Sequence, residues 1–148
     1  MDEIEFRKDL MRRQKKDYHV KFFQDDPTRQ HITVPIFSKL GEKKKIIPFR
    51  NTDCSKPSCV YSIEDLIEKY KSSNYSTMHG FICYSCNKFI HLKNFFLDYT
   101  LNKMIEKIWE KHNRPDKIIC KRITIMRDGH WEPNLPEYIS IISVNNLM

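Results

Sequence analysis

Apolar residues recur at helical spacing in three stretches of this 148-residue chain. In EFRKDLMRRQKKD, Phe6, Leu10 and Met11 share one face and predict a short helix over 5–17. Ile63, Leu66, Ile67 and Tyr70 form a second stripe directly after Ser62. Asp65 stands three residues beyond that serine, which is the spacing of a capping box. Leu101, Met104, Ile105, Ile108 and Trp109 form a third stripe, predicting a helix over 99–111 with Asp98 as its N-cap and Asn113 and Pro115 as its stop. Between the first two stripes, FQDDPTRQ breaks the pattern at Pro27. Residues 31–38, HITVPIFS, and 43–50, KKKIIPFR, then read as two strands of a hairpin around Leu-Gly-Glu, with Pro35 and Pro48 favouring an edge position. SSNYSTMHG is a polar loop, and FICYSC reads as a strand running into a tight knuckle. IICKRITIM, the turn at Asp128-Gly129 and the return at His130-Trp131 predict a closing hairpin. The tail beyond Glu132 holds Pro133 and Pro136 and ends in the apolar patch YISIISV.

Composition adds bounds rather than a function. With 40% hydrophobic and 30% charged residues, the chain suits one globular domain with tails. No apolar run approaches the ~18 residues of a membrane span. The charged segment Met1–Asp9 lacks the apolar core of a secretory signal, so the five cysteines are expected as reduced thiols. The formal charge is +7. Basic residues cluster between Arg7 and Lys21, and again at Lys43, Lys44, Lys45 and Arg50. Such clusters attract nucleic acid or an acidic protein face, but a solvated helix face and a charged strand edge are the simpler explanation.

The cysteines carry the most specific chemistry. Cys54 and Cys59 are spaced C-x4-C, Cys83 and Cys86 are spaced C-x2-C, and 23 residues separate the pairs. Thiolate pairs two to four residues apart grip one zinc ion from a single turn, and two pairs complete a tetrahedral set. A segment with only two short helices gains folding energy directly from such a site. The alternative is four buried, unligated thiols. Cys120 lies in an apolar strand and is expected in the core. His79 and His91 are alternative ligands to Cys59.

In order along the chain, PFRNTDCSKPSC, GFICYSC, KNFFLDYTLNKMIEKI and ITIMRDGHWEP, preceded by ITVPIFSKLGEKKKIIPFR, resemble the SP-RING (MIZ-type zinc finger) domain of Siz/PIAS-type SUMO ligases, over about residues 20–135. The resemblance implies an α+β fold: a small zinc-stabilised RING-like domain with a lead-in β-hairpin, two short helices and a closing hairpin. It divides the chain into an N-terminal basic helix and linker (1–29), the zinc domain (30–131) and a C-terminal tail (132–148). Family members bind zinc through a cysteine, a histidine two residues later and the C-x-x-C pair. Those positions here are Cys54, Lys56, Cys83 and Cys86, so the histidine is replaced and Cys59 becomes the candidate fourth ligand. Tyr84 stands in place of the knuckle proline, and Phe81 in place of a tryptophan.

The resemblance also implies a function. Such domains bind a SUMO-charged conjugating enzyme and promote transfer of SUMO to substrate lysines by orientation, without a nucleophile of their own. Pro48, Phe49, Phe81, Ile82 and Tyr84 are the candidate conjugating-enzyme surface, with core packing the other reading of Phe81 and Ile82. Ile139, Ile141, Ile142 and Val144 resemble the aliphatic core of a SUMO-interacting motif, which adds a strand to the edge of a sheet in its partner. A strand packing on the chain's own domain or on a partner subunit is the alternative. The expected partners are therefore the conjugating enzyme, SUMO, and protein substrates or a complex partner, in the nucleus. A non-catalytic SP-RING-like scaffold is the second reading, and nucleic-acid binding a distant third.

Overall fold

The computed structural model describes residues 2–37, 44–72 and 79–136, which form four helices and nine short strands. Helix α1, Glu3–Arg12, starts at Asp2, whose carboxylate accepts the Glu5 N–H at 2.8 Å. Its stripe is narrower than the pattern suggested. Phe6 and Leu10 are buried, whereas Met11 is exposed, and the helix ends before Lys15 and Lys16 form strand β1. A second helix, α2, His19–Asp25, follows, which the sequence pattern did not predict, and it buries Phe22 and Phe23. Phe6, Leu10, Tyr18, Phe22 and Phe23 of this N-terminal region all enter the interior.

Among the described residues, the two segments of the expected lead-in hairpin do not pair with each other. Strand β2, His31–Pro35, pairs antiparallel with β8, Arg122–Met126, with Ile32 opposite Ile125 and Val34 opposite Ile123. Strand β3, Pro48–Asn51, instead lies in another sheet between β4, Tyr61–Ser62, and β7, Phe95–Asp98. Burial explains the separation. β2 alternates between exposed and buried residues, as a one-faced edge strand does, while every residue of β3 is buried. Their intended turn lies outside the described residues. The closing hairpin forms as expected, β8 pairing with β9, Trp131–Pro133.

Ser62 and Asp65 start helix α3, Ile63–Ser72, reciprocally. The Asp65 N–H donates to Ser62 Oγ at 3.0 Å, and the Ser62 N–H donates to Asp65 Oδ2 at 2.9 Å. Asp98 caps α4, Tyr99–Lys111, by accepting the Leu101 N–H at 3.1 Å. At its other end, the buried Asn113 side chain bonds the backbone of Ile119 and Cys120, turning the chain towards β8. Strands β5, Gly80–Ile82, and β6, Phe89–His91, make a separate two-stranded ribbon.

The interior has two apolar clusters on opposite faces of β7. Phe96 packs with Phe22, Ile32, Val34, Leu101, Ile105, Ile123 and Ile125, and Cys120 is buried among them. Phe95 and Leu97 face the other way, onto Phe6, Leu10, Phe49, Leu66 and the sulfurs of the two loops. Alternation along one strand supplies a wall to both interiors.

Two arginines of the basic clusters have structural tasks. Arg50 is 1% exposed, so it is an interior residue rather than part of a basic cluster. The Arg13 guanidinium is committed to the Leu92 and Phe95 carbonyls and to Asp9. Among the described residues, no helix is long and apolar enough to cross a membrane. Ile139, Ile141, Ile142 and Val144 lie outside the described residues.

Candidate metal centre

The loop from β3 to β4 is wrapped around two buried polar side chains. The amide oxygen of Asn51 accepts the Asp53 N–H at 2.8 Å, and the Arg50 guanidinium donates to the Pro57 carbonyl at 2.9 Å. Backbone bonds from Cys54 N–H to Asn51 O and from Cys59 N–H to Lys56 O close two turns, turning both cysteines inward. Asp53 fastens this loop to β6. Its Oδ2 accepts the His91 N–H at 2.9 Å and the Asn94 amide at 3.0 Å, with His91 Nδ1 also 2.9 Å away. The His91 backbone N–H, followed by the Asn94 amide, holds the Asp53 carboxyl down to about 2.

The second pair sits in the knuckle joining β5 to β6. Cys83 N–H donates to Lys88 O at 2.8 Å and Asn87 N–H to Cys83 O at 3.0 Å. Asn87 adopts φ +60°, a left-handed conformation that asparagine tolerates better than most residues. The ribbon closes so tightly at Gly80 that a Cβ there would stand 2.1 Å from the Ile90 carbonyl oxygen. Gly80→Ala is accordingly expected to cost about 1–3 kcal/mol of stability, read as a fall in urea midpoint. An unchanged midpoint would show that the ribbon yields freely.

These two loops bring Cys54, Cys59, Cys83 and Cys86 together, all four sulfurs lying within 4.8 Å of one another. Cys83 Sγ is 3.8 Å from Cys54 Sγ and 3.6 Å from Cys59 Sγ. Metal–sulfur bonds of about 2.3 Å in a tetrahedron require sulfur separations of about 3.8 Å, so the set has the dimensions of a four-thiolate site. Its protonation chemistry agrees. A sulfur hydrogen bond from Cys54 lowers Cys59 to about 5, whereas burial raises Cys83 and the bond to Cys59 raises Cys54. Without a cation the cluster favours one thiolate shared among thiols, and a divalent ion is what allows the others to ionise.

Lys56, at the histidine position of the resemblance, points along the protein surface and donates to the Ser85 carbonyl at 3.3 Å. His91 is engaged with Asp53, and His79 lines a different cavity beside Phe6, Asp9 and Tyr70. Among the described residues, neither histidine joins the sulfur set.

The expected docking residues divide. Pro48 and Phe49 are buried, Phe49 completely, because β3 is a central strand; they cannot form a contact surface. Phe81 is half-buried between the Tyr61 and Phe95 rings. Ile82 and Tyr84 are 59% and 45% exposed. Phe89, which sequence reasoning passed over, is 47% exposed directly opposite Ile82 in the ribbon register. Tyr84 also has a structural task. Its hydroxyl donates towards the Ser58 and Val60 carbonyls, at 2.7 and 3.2 Å, and its N–H donates to Tyr61 Oη. With the Ser58–Ser85 hydroxyl contact at 2.6 Å, it binds the knuckle to the first cysteine loop.

No family model matches the chain, and no curated protein matches it by sequence. Solved structures do. The Saccharomyces cerevisiae SUMO E3 ligase SIZ2 superposes with a TM-score of 0.65 at 12% identity, over 90% of this chain and 47% of that one. SUMO E3 ligase SIZ1 from the same yeast superposes with a TM-score of 0.67 at 9% identity, over 91% and 45%. This chain spans about half the length of the solved chains it matches. At such identities the likeness is one of fold: the chain has a divergent, SP-RING-type α+β fold with a four-cysteine cluster.

Proposed function

We propose that this chain is an SP-RING-type SUMO ligase, or the SP-RING subunit of one, with Cys54, Cys59, Cys83 and Cys86 holding one zinc ion. The observation that carries the reading is the juxtaposition of the four-sulfur cluster with the exposed Ile82–Tyr84 knuckle, in a fold shared with two yeast SUMO ligases. Zinc supplies structure here: four thiolates leave no open coordination position for a reacting group. The cysteines are thereby withdrawn from nucleophilic duty, and transfer is from the conjugating enzyme's thioester directly to a substrate lysine. The chain's own contribution is orientation. Ile82, Tyr84 and Phe89 offer an apolar face against which the charged conjugating enzyme rests, and holding the donor in an attack-ready pose lowers the barrier by several kcal/mol. On this reading the partners are the conjugating enzyme, SUMO and protein substrates, and the protein works in the nucleus.

The test is discharge of SUMO from charged conjugating enzyme onto free lysine, under single turnover. Added protein is expected to accelerate discharge, and Ile82→Ala to reduce that acceleration about fivefold or more with an unchanged melting temperature, because Ile82 is exposed. Tyr84 in the knuckle, bonded to the first loop rather than shaped like proline, favours a second reading: a scaffold that binds the conjugating enzyme or another protein without accelerating transfer. Binding without acceleration at saturating protein selects the scaffold.

A further inference from the structure

We infer that the groove between α3 and the knuckle is a socket for a cationic side chain, arginine or lysine, on the conjugating enzyme, with Asp65 as its acceptor. This rests on the reading of the knuckle as the enzyme-docking face. The groove encloses about 270 Å³ and is lined by Tyr61, Asp65, Glu68, Lys69, Ile82 and Tyr84, together with Ser72. Asp65 is 7% exposed. Its Oδ2 is used by the capping box, but among the described residues its buried Oδ1 has no hydrogen-bond partner. A buried carboxylate oxygen left in this state favours any ligand that brings a donor to it.

Charge selects the class of donor. Glu68 is exposed and lies one turn along α3, on the same side as Asp65. The Lys69 ammonium is drawn over the Phe81 ring, 5.2 Å from its centroid. Two carboxylates against one engaged ammonium make the groove locally acidic on a chain of net charge +7. A neutral donor would satisfy Asp65 but leave Glu68 without a partner, whereas a cation serves both. The walls suit the rest of such a side chain: Ile82 takes an aliphatic stem, and the Tyr61 and Tyr84 rings take a planar guanidinium.

The experiment is calorimetric binding of a stable SUMO-linked conjugating enzyme to the full chain, at low and moderate salt. Asp65→Asn keeps an oxygen for the Ser62 N–H and so preserves the α3 cap, which thermal melting checks. It is expected to weaken binding about tenfold. Glu68→Lys alters only an exposed residue, so it remains informative even where Asp65→Asn fails to fold. It is also expected to weaken binding about tenfold, and both variants to flatten the salt dependence. Wild-type binding with unchanged affinity in the folded variants overturns the socket and leaves the ligase reading in place. No binding by the wild-type chain removes the docking reading itself, and the socket with it.

Discussion

Cys83→Ser is expected to abolish metal binding and unfold the half of the molecule around the knuckle. Cys83 is completely buried, and its sulfur lies within 3.8 Å of both the Cys54 and the Cys59 sulfurs. Structural zinc contributes on the order of 10–16 kcal/mol of binding energy in comparable small sites, more than a typical domain's whole stability. Loss of one thiolate should therefore cost the fold, not only the ion. Purified wild-type protein should carry one zinc by elemental analysis, and Cys83→Ser none, with a lost or broadened thermal transition. Cys120→Ser is the control, because Cys120 sits in the other interior, where its thiol donates to the Arg122 carbonyl. Cys59→Ser should behave like Cys83→Ser. Full zinc retention in it would remove Cys59 from the ligand set and contradict the four-thiolate centre.

Arg50→Met is expected to cost about 3–5 kcal/mol. The guanidinium and the Asp98 carboxylate are each 2% exposed and meet at 2.8 Å. Removing one partner leaves the other charge buried and uncompensated, which is where the large penalty arises. Arg50 also holds the Pro57 carbonyl and lies 5.1 Å from the Phe22 ring centroid, while Asp98 caps α4. The loss should therefore reach the cysteine loop, α2 and α4 together. Adding Asp98→Asn, which keeps a capping oxygen, should recover part of the loss, since a buried pair removed as a unit is often nearly neutral. Urea unfolding of the two single variants and the double variant measures this. A single-variant loss below about 1 kcal/mol would show that the pair contributes like a surface contact.

Features set by near neighbours in the chain were legible in the sequence. Ser62 with Asp65, Asp98 with α4, and the hairpin at Asp128-Gly129 each need only a few residues to specify them, and all three form. The cysteine pairs were legible because metal chemistry constrains their spacing more tightly than packing does. Features set by distant partners were not. The strand at His31–Pro35 pairs with residues beyond 121, and no local signal distinguishes that from a hairpin with its neighbour. Helix α2 is seven residues long and lacks a side-chain cap, so it owes its existence to the burial of Phe22 and Phe23. Phe49 and Arg50 looked like a solvent-facing pair beside a lysine run. Only the central place of β3 reveals that the phenylalanine is core and the arginine has an interior counter-ion.

The two-sided wall has a consequence for how the chain can vary in length. Phe95, Phe96, Leu97 and Asp98 hold four successive assignments: one interior, the other, the first again, then the carboxylate that receives Arg50. Inserting or deleting one residue between Lys93 and Asp98 would exchange the two hydrophobic populations and withdraw that carboxylate in a single step. Descendants of this sequence should accordingly tolerate conservative replacements in this stretch while keeping its residue count fixed.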